Sequence, residues 1–270
     1  MNRDTLAYHW PRYLTAVVAT AVVIFLTAPL VVVIIQSFTA ESYLAFPPPR
    51  FGMRWYNELF QADEWRRGFT LSLIISLIVT PLALIIGTAA ALGLDRGPLR
   101  GRQALYAVLI SPIVLPHIVL GLGIFRIALQ LDISDSLWSY VPAHLTITVP
   151  FVVVTVGASL RSFDIGLEEV ARSLGASPFR AFWHITLPTI RPGLIAGAVF
   201  SFIVSFDEFI ITFFLASYDL TLPLVIFSTL MHQVKPSIAA ASTLMIAATA
   251  LLTSLLMWRG QVVSGKEIIK

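Results

Sequence analysis

The sequence predicts an all-α integral membrane protein that crosses the bilayer six times. Its 270 residues are 57% hydrophobic and 12% charged, with a mean hydropathy of +0.84, whereas soluble chains carry about a quarter charged residues. A helix needs roughly 20 mainly apolar residues to span a bilayer, and six segments meet this requirement. In chain order they are approximately residues 14–35, 68–94, 104–129, 141–160, 193–215 and 238–258.

The six spans are predicted to form a single transmembrane domain over residues 1–270. The first apolar stretch is longer than the roughly 7–15 residues of a signal peptide's apolar region, so we expect it to remain as a span. Arginine and lysine are more frequent in the loops that would lie on the same side as the N-terminus. This bias predicts that both termini are cytoplasmic.

The composition excludes several classes of function. The chain has no cysteine, so disulfides, thiol catalysis and thiolate metal sites are excluded. Its five histidines are far apart and show no metal-ligand spacing. The basic residues do not cluster as a nucleic-acid surface requires. We therefore do not expect the chain to bind nucleic acid or a metal ion. We do expect it to contact membrane lipid.

Two elements around the first spans carry local signals. The third span contains Pro112, Pro116, Gly121 and Gly123, which predict a kinked or interrupted helix. In the loop 36–67 a proline run precedes "RWYNELF", whose aromatic spacing predicts a short helix. We interpret this helix as an interfacial anchor, and a docking surface for an external partner is the alternative.

The loop 161–192 is polar and has a complete set of helix signals. Asp164 precedes a predicted helix with Glu168 and Glu169 in its first turn, and Gly175 is placed to end that helix. Ser177 and Pro178 then start a second helix. Pro188 and Pro192 separate the second helix from the fifth span. On the first helix an apolar side is predicted at Ile165, Val170 and Leu174.

The same loop contains a long pattern that resembles the "EAA" motif of ABC importer permeases. Glu169 and Ala171 are followed by Gly175, then by nine residues and "ITLP", which begins at Ile185 and includes Leu187 and Pro188. Val170 stands where the motif has its first alanine. The resemblance extends to the six spans and to the position of the loop before the fifth span.

The resemblance implies a type I ABC importer permease, and the loop would be its coupling loop. Such a permease pairs with a second, homologous permease, two copies of an ATPase and an extracytoplasmic substrate-binding protein, in a prokaryotic inner membrane. ATP and Mg would bind the ATPase, since the chain has no phosphate-binding G-x-x-x-x-G-K-[ST] loop of its own. Glu169 would then anchor the corner by polar contacts, and Ala171 would allow close approach. The implied ATPase-coupling residues are Glu168, Glu169, Ala171, Gly175, Ile185, Leu187 and Pro188.

The fifth span contains ionisable residues, which within a membrane usually face a cavity and serve a function. Ser201, Ser205, Glu208 and Thr212 recur at helical steps and predict one polar stripe along a substrate pathway. Asp207 points about 100° away from this stripe. Alternatively, Arg126 in the third span pairs with one of the two carboxylates.

Three shorter stretches resemble the polyamine (spermidine/putrescine) branch of these permeases. They are "SFDEF" in the fifth span, "LPLVIFSTL" after it and "WYNELF" in the first outer loop. The resemblance implies a cationic substrate such as putrescine or spermidine. Importers of opines, amino-acid-like compounds and aminophosphonates belong to the same branch and stay open as alternatives.

Two other classes of protein fit the sequence less well. An ion-coupled secondary transporter would use Asp207 and Glu208 as coupling carboxylates, but it would not need the loop pattern. An intramembrane enzyme would need a nucleophile motif or a second carboxylate on another span, and none is evident, so no catalytic residue is assigned. His117 is interpreted as an interior histidine bonded to a carbonyl group, and Arg96, Arg100 and Arg102 as a topological anchor.

Overall fold

The protein is described by a computed structural model, which covers the backbone of residues 3–267 and the side chains of residues 13–255. Its described part is helical, apart from connecting segments and an isolated antiparallel bridge between Thr39 and Phe51. The helices are α1 (Arg3–Ser37), α2 (Arg54–Gln61), α3 (Asp63–Arg96), α4 (Arg102–Val114), α5 (His117–Gln130), α6 (Leu137–Arg161), α7 (Gly166–Ser173), α8 (Pro178–Thr189), α9 (Arg191–Phe206), α10 (Ile210–Leu215), α11 (Leu222–His232) and α12 (Ser237–Glu267).

Six membrane spans can be assigned within the described residues. Four helices are long and apolar enough to cross a membrane alone, namely α1, α3, α6 and α12. The pairs α4–α5 and α8–α9 pass the same test together, with bends of 101° and 68°. In the second pair only α9 lies in the predicted fifth span, because α8 belongs to the loop 161–192. The prediction of an all-α membrane protein with six spans is confirmed, and the third and fifth of these spans are interrupted. The predicted end of the sixth span at residue 258 falls where side chains lie outside the described residues.

The third span is broken, as its prolines predict. Helix α4 ends at Val114 and α5 begins at His117, and the two residues between them have extended backbone angles. Pro116 has no amide hydrogen to donate and its ring clashes with a continuing helix. The break therefore places His117 at the first position of a new helix.

The predicted fifth span, residues 193–215, is not one continuous helix. Helix α9 ends at Phe206, where the amide of Asp207 still donates to the Ile203 carbonyl oxygen, and α10 begins at Ile210. A side-chain oxygen of Glu208 accepts the amide hydrogen of Ile211 at 2.8 Å. A carboxylate thus replaces the backbone acceptor that a continuous helix would supply. We call residues 207–209 the fifth-span break.

The chain divides into two compact units, of which the first contains the described residues up to Ala62 together with Ser228–Ala247. Here the Tyr56 hydroxyl lies 2.7 Å from the Ser37 hydroxyl, and the Trp55 indole donates to the Glu41 carbonyl oxygen at 3.0 Å. These contacts fix α2 against the segment that follows α1. The short helix predicted after the proline run is confirmed, and it buries Trp55, Tyr56 and Leu59.

The second unit contains Asp63–Phe227 and the described residues from Ala248 onward, and α3, α6 and α9 form its core. The helices approach closely at glycines. A Cβ atom built at Gly87 of α3 would lie 2.6 Å from the Val152 Cβ of α6, and one at Gly193 of α9 would lie 2.5 Å from the Ser159 Oγ of α6. Small residues allow such packing between membrane helices. The ends of α3 and α6 and the start of α9 meet at the loop 161–192.

Candidate functional site

The local structure of the loop 161–192 agrees with its helix signals. An Asp164 side-chain oxygen accepts the Gly166 amide at 2.9 Å, at the start of α7. Gly175 has a φ angle of +94°, a conformation that favours glycine. The Ser177 hydroxyl accepts the Arg180 amide at 3.3 Å, with Pro178 in the first turn of α8. Two helices joined at a glycine corner are therefore confirmed.

Pro188 does not end the second helix as predicted. Helix α8 continues to Thr189 because Phe182–Thr186 form a π turn, in which the Leu187 amide donates to the Phe182 carbonyl oxygen five residues earlier. This shifted pairing precedes a proline that has no amide hydrogen to pair. The bend toward α9 falls after Thr189 instead, at Ile190.

The two helices of the loop present an exposed apolar surface. Leu174 is 85% exposed and Phe179 is 74% exposed, and the Phe179 ring stacks on Trp183 at 6.0 Å. The other large apolar side chains exposed here are Ile165, Leu167 and Val170. The apolar side predicted from Ile165, Val170 and Leu174 is thus uncovered in this chain. Exposed apolar patches of this kind are typical of protein–protein contact sites.

The opposite side of the loop is fixed to the second span through Glu168. An Arg96 side-chain nitrogen lies 2.7 Å from one Glu168 carboxylate oxygen, and the Thr186 hydroxyl donates to the other at 2.9 Å. Arg96 is the last residue of α3, and Thr186 lies in the π turn of α8. The sequence interpretation of Arg96 as a topological anchor omits this contact.

The remaining motif residues lie outside this contact. Glu169 is exposed and its carboxylate makes no polar contact within the described chain, so the polar anchor within the chain is Glu168 instead. Ala171, Ile185 and Leu187 are half-buried, and Pro188 is exposed. Their role toward an ATPase stays a prediction.

The second candidate site is the fifth-span break. The predicted stripe residues are all buried: Ser201, Ser205, Glu208 and Thr212. Asp207, by contrast, is exposed, and its carboxylate makes no hydrogen bond or ion pair in the described part of the chain. The Ser201 hydroxyl oxygen is buried there without a hydrogen-bond partner.

Two histidines lie in this site, and the sequence interpretation assigned neither of them to it. His144 of α6 is fully enclosed, with Nδ1 2.9 Å from the Ser205 hydroxyl and Nε2 3.4 Å from the Thr212 hydroxyl. His117 Nδ1 lies 3.4 Å from a Glu208 carboxylate oxygen. His144 is 61 and 68 residues from its two partners, so no periodic signal predicts these contacts. His117 begins α5 after the break in the third span, and Glu208 lies in the fifth-span break, so the two residues meet where both spans are interrupted.

The alternative pairing of Arg126 with Asp207 or Glu208 is not formed among the described residues. Arg126 is exposed on α5, nine residues beyond His117. At 1.5 Å per residue this places it about 13 Å further along the helix. Glu208 is engaged by the Ile211 amide and His117 instead.

Comparison with known proteins agrees with the sequence interpretation. A family model described as the inner membrane component of binding-protein-dependent transport systems matches residues 83–265. The spermidine/putrescine transport system permease protein PotC of Haemophilus influenzae is 32% identical over 224 residues, which cover 82% of this chain and 86% of that protein. The putrescine transport system permease protein PotI of Escherichia coli K12 is 33% identical over 235 residues, which cover 84% of this chain and 83% of PotI.

Solved structures share the fold. A chain of a bacterial ABC transporter that imports the acidic polysaccharide alginate superposes with a TM-score of 0.74 and 16% identity, covering 96% of this chain and 98% of its own length. A chain of the MetNI methionine ABC transporter gives a TM-score of 0.56 and 15% identity, covering 75% of this chain and 97% of its own. The family match over residues 83–265, which include the loop, and the relatives above show that the chain belongs to the inner membrane components of binding-protein-dependent transport systems, as an ABC importer permease.

Proposed function

We propose that this chain forms half of the translocation pathway of an ATP-driven importer for polyamines such as putrescine or spermidine. Both relatives described above carry putrescine in their names, one of them together with spermidine. Two copies of an ATPase, a second homologous permease and an extracytoplasmic binding protein complete the transporter. The chain lies in a prokaryotic inner membrane with both termini cytoplasmic.

The pair of carboxylates at the fifth-span break is the main observation that supports a cationic substrate. Asp207 is exposed and unpaired within the described chain, and the buried hydroxyl group of Ser201 lies on the preceding helix. Carboxylates within a membrane span are costly unless they serve a function. A carboxylate without a protein cation beside it is suited to an ammonium group of a passing substrate.

The exposed apolar surface of the loop supports the ATPase contact. Its large side chains need a partner to remove them from water, and the loop contains the coupling motif. ATP and Mg bound by the ATPase would close the two ATPase copies and move the loops. The spans then alternate between inward- and outward-facing packing.

The contact between His117 and Glu208 favours a second candidate substrate. If His117 pairs with Glu208, only the Asp207 carboxylate remains for the substrate. A substrate with a single ammonium group is then sufficient. An amino-acid-like compound, an opine or an aminophosphonate has such a group. A diamine has two ammonium groups, and it would instead bind Asp207 with one of them and Glu208 with the other.

The test is ATP-dependent uptake of labelled putrescine and spermidine by cells with and without this gene, with amino acids and aminophosphonates as unlabelled competitors. Loss of polyamine uptake on deletion is the expected result. Asp207→Asn should lower uptake, while Asp219→Asn is the matched control because Asp219 is also exposed but lies beyond the break.

Other outcomes separate the alternatives. Unchanged polyamine uptake with loss of another compound would overturn the polyamine assignment and retain the importer. Uptake that follows an ion gradient and continues without ATP would instead show a secondary transporter, which would overturn the whole proposal.

A further inference from the structure

The geometry points to a clamp, formed by Arg96, Glu168 and Thr186, that couples the loop to the second span. We infer that the clamp transmits movement of the loop to α3 during transport. The inference rests on the proposed function, because movement of the loop is the ATPase's contribution in that proposal. Arg96, Glu168 and Thr186 are positioning residues in this role and do not contact substrate.

Three helices converge on one carboxylate in the clamp. Arg96 Nη1 donates to one Glu168 oxygen at 3.1 Å and lies 2.7 Å from the other. The Thr186 hydroxyl donates to Glu168 at 2.9 Å, and Arg96 Nη2 donates to the Thr186 oxygen at 3.4 Å. The Arg96 guanidinium also lies 5.5 Å from the centre of the Phe163 ring. Each member of the clamp therefore contacts the other two.

Burial distinguishes the clamp from an ordinary surface ion pair. Thr186 is fully buried, and the Glu168 and Arg96 side chains retain 12% and 24% of their exposure. The neighbouring pair Arg102–Asp95 is longer, at 3.5 Å, and its side chains are 50% and 26% exposed. Exposed pairs contribute little to stability, whereas removing one partner of a buried pair is costly. The neighbouring pair thus provides a natural control.

The position of the clamp on α7 suits transmission. Leu167, Val170 and Leu174 of the same loop are exposed, whereas Glu168 is turned toward α3. A partner that holds the exposed surface therefore acts on a helix whose buried side is fastened by Glu168.

The clamp adds a connection that the backbone does not provide. The loop is covalently continuous with α6 before it and with α9 after it. Arg96 is 72 residues from Glu168 in sequence and brings in α3, the third helix of the core. When these contacts are formed, α3, α6 and α9 all move with the loop. Without them, only packing connects α3 to the loop.

The functional test uses the complete transporter in proteoliposomes, and it measures substrate uptake and ATP hydrolysis on the same preparation. Arg96→Gln and Glu168→Gln should each lower the ratio of uptake to hydrolysis by a factor of about 2 to 30, the range for residues that modulate coupling between sites. The double variant should lose no more than either single variant, because the residues act as a unit. Asp95→Asn and Arg102→Gln are the controls and should keep the wild-type ratio.

Three results would overturn the clamp. They are an unchanged ratio in both single variants, losses that add in the double variant, and loss of the ATPase from the purified complex in proportion to the loss of uptake. The last result would show that the residues only maintain the docking surface.

A second measurement does not depend on the substrate. The chain has no cysteine, so spin labels can be attached at Ser173→Cys on exposed α7 and at Gly93→Cys on α3, where an added side chain meets nothing within 4 Å. In the otherwise wild-type complex the distance between the labels should stay constant between the nucleotide-free and ATP-bound states. In Glu168→Gln it should differ between these states. A distance that already changes without Glu168→Gln would overturn the clamp even if no polyamine is transported, and failure of polyamine uptake alone would count only against the proposed function.

Discussion

The loop 161–192 and the fifth-span break each contain two adjacent acidic residues, and both regions divide the pair in the same way. Glu168 is buried and bonded while Glu169 is exposed, and Glu208 is buried and bonded while Asp207 is exposed. On α7 successive residues point about 100° apart, so one glutamate faces the protein interior and the other faces away. Residues 207 and 208 lie outside the helices, and there the Ile211 amide and His117 hold Glu208 in the interior. In these two regions the acidic pair therefore contains one residue bonded within the chain and one residue left free for a partner.

The two buried members differ in what holds them. Glu168 has a cation at 2.7 Å and a hydroxyl donor at 2.9 Å, both from distant parts of the sequence. Glu208 accepts a backbone amide three residues ahead at 2.8 Å, and its histidine is more distant, at 3.4 Å. The first carboxylate joins helices of the core, whereas the second mainly starts a new helix. Substitutions should separate these two roles.

The largest effects, similar in size, are expected at Glu208 and Glu168. Glu208→Ala leaves the buried Ile211 amide without its acceptor, which should lower the free energy of unfolding by about 1–3 kcal/mol. Glu208→Gln keeps an oxygen for that amide and should cost less. Thermal unfolding of the purified chain in detergent measures both. Equal losses for the two variants would show that the charge, and not the helix cap, is what matters at this position.

The next effect should separate the two glutamates of the loop. Glu168→Ala removes hydrogen bonds between charged partners, and we expect it to lower the free energy of unfolding by about 1.5–3 kcal/mol. Glu169→Ala should stay within about 0.5 kcal/mol of wild type, as is usual for exposed positions. The same unfolding measurement compares them. A larger loss for Glu169→Ala than for Glu168→Ala would show that Glu169, and not Glu168, is the glutamate bonded within the chain.

A smaller effect is expected at the corner between the loop's helices. Gly175→Val forces a branched side chain into a left-handed conformation at a cost of about 1–2 kcal/mol. We expect loss of transport with normal membrane insertion, measured as uptake relative to the amount of protein in the membrane. Gly175→Asn should be milder, because asparagine tolerates this conformation better. Wild-type uptake by Gly175→Val would contradict a role for the corner in coupling.

The smallest effect is expected at Arg126. Because it is exposed and pairs with neither carboxylate of the break, Arg126→Gln should change the free energy of unfolding by no more than about 0.5 kcal/mol. His117→Ala should have a larger effect, since it removes the contact with Glu208. The comparison is made by thermal unfolding and by uptake. A strong effect at Arg126 would instead indicate a contact with the second permease.

The sequence predicts features that depend on neighbouring residues. Asp164, Gly175 and Ser177 act within two or three residues of their own positions, so their helix signals are sufficient to predict the corner. Likewise, the prolines and glycines of the third span predict an interrupted helix, and the break falls at Pro116.

Contacts between distant residues were not predictable in the same way. Arg96 meets Glu168 only because α3 and α7 end up side by side, and the charge of Arg96 equally suits an exposed anchor. Arg126 was the more conspicuous candidate partner for Glu208, since it is charged and lies in a span. The bend of the third span selects His117 instead. A missed element is α11, a mainly apolar helix of 11 residues that is too short for a span, and its stretch "LPLVIFSTL" indicated only a family resemblance.

The division of adjacent glutamates also determines how these positions can change during evolution. Residue 168 is constrained by residues 96 and 186 of its own chain, so substitutions there should be accompanied by substitutions at those two positions. Residue 169 has no such constraint within the described chain, and it is free to change together with the surface of the protein that meets the loop. Substitutions at residue 168 would then accompany changes within this permease, and substitutions at residue 169 would accompany changes in its partner.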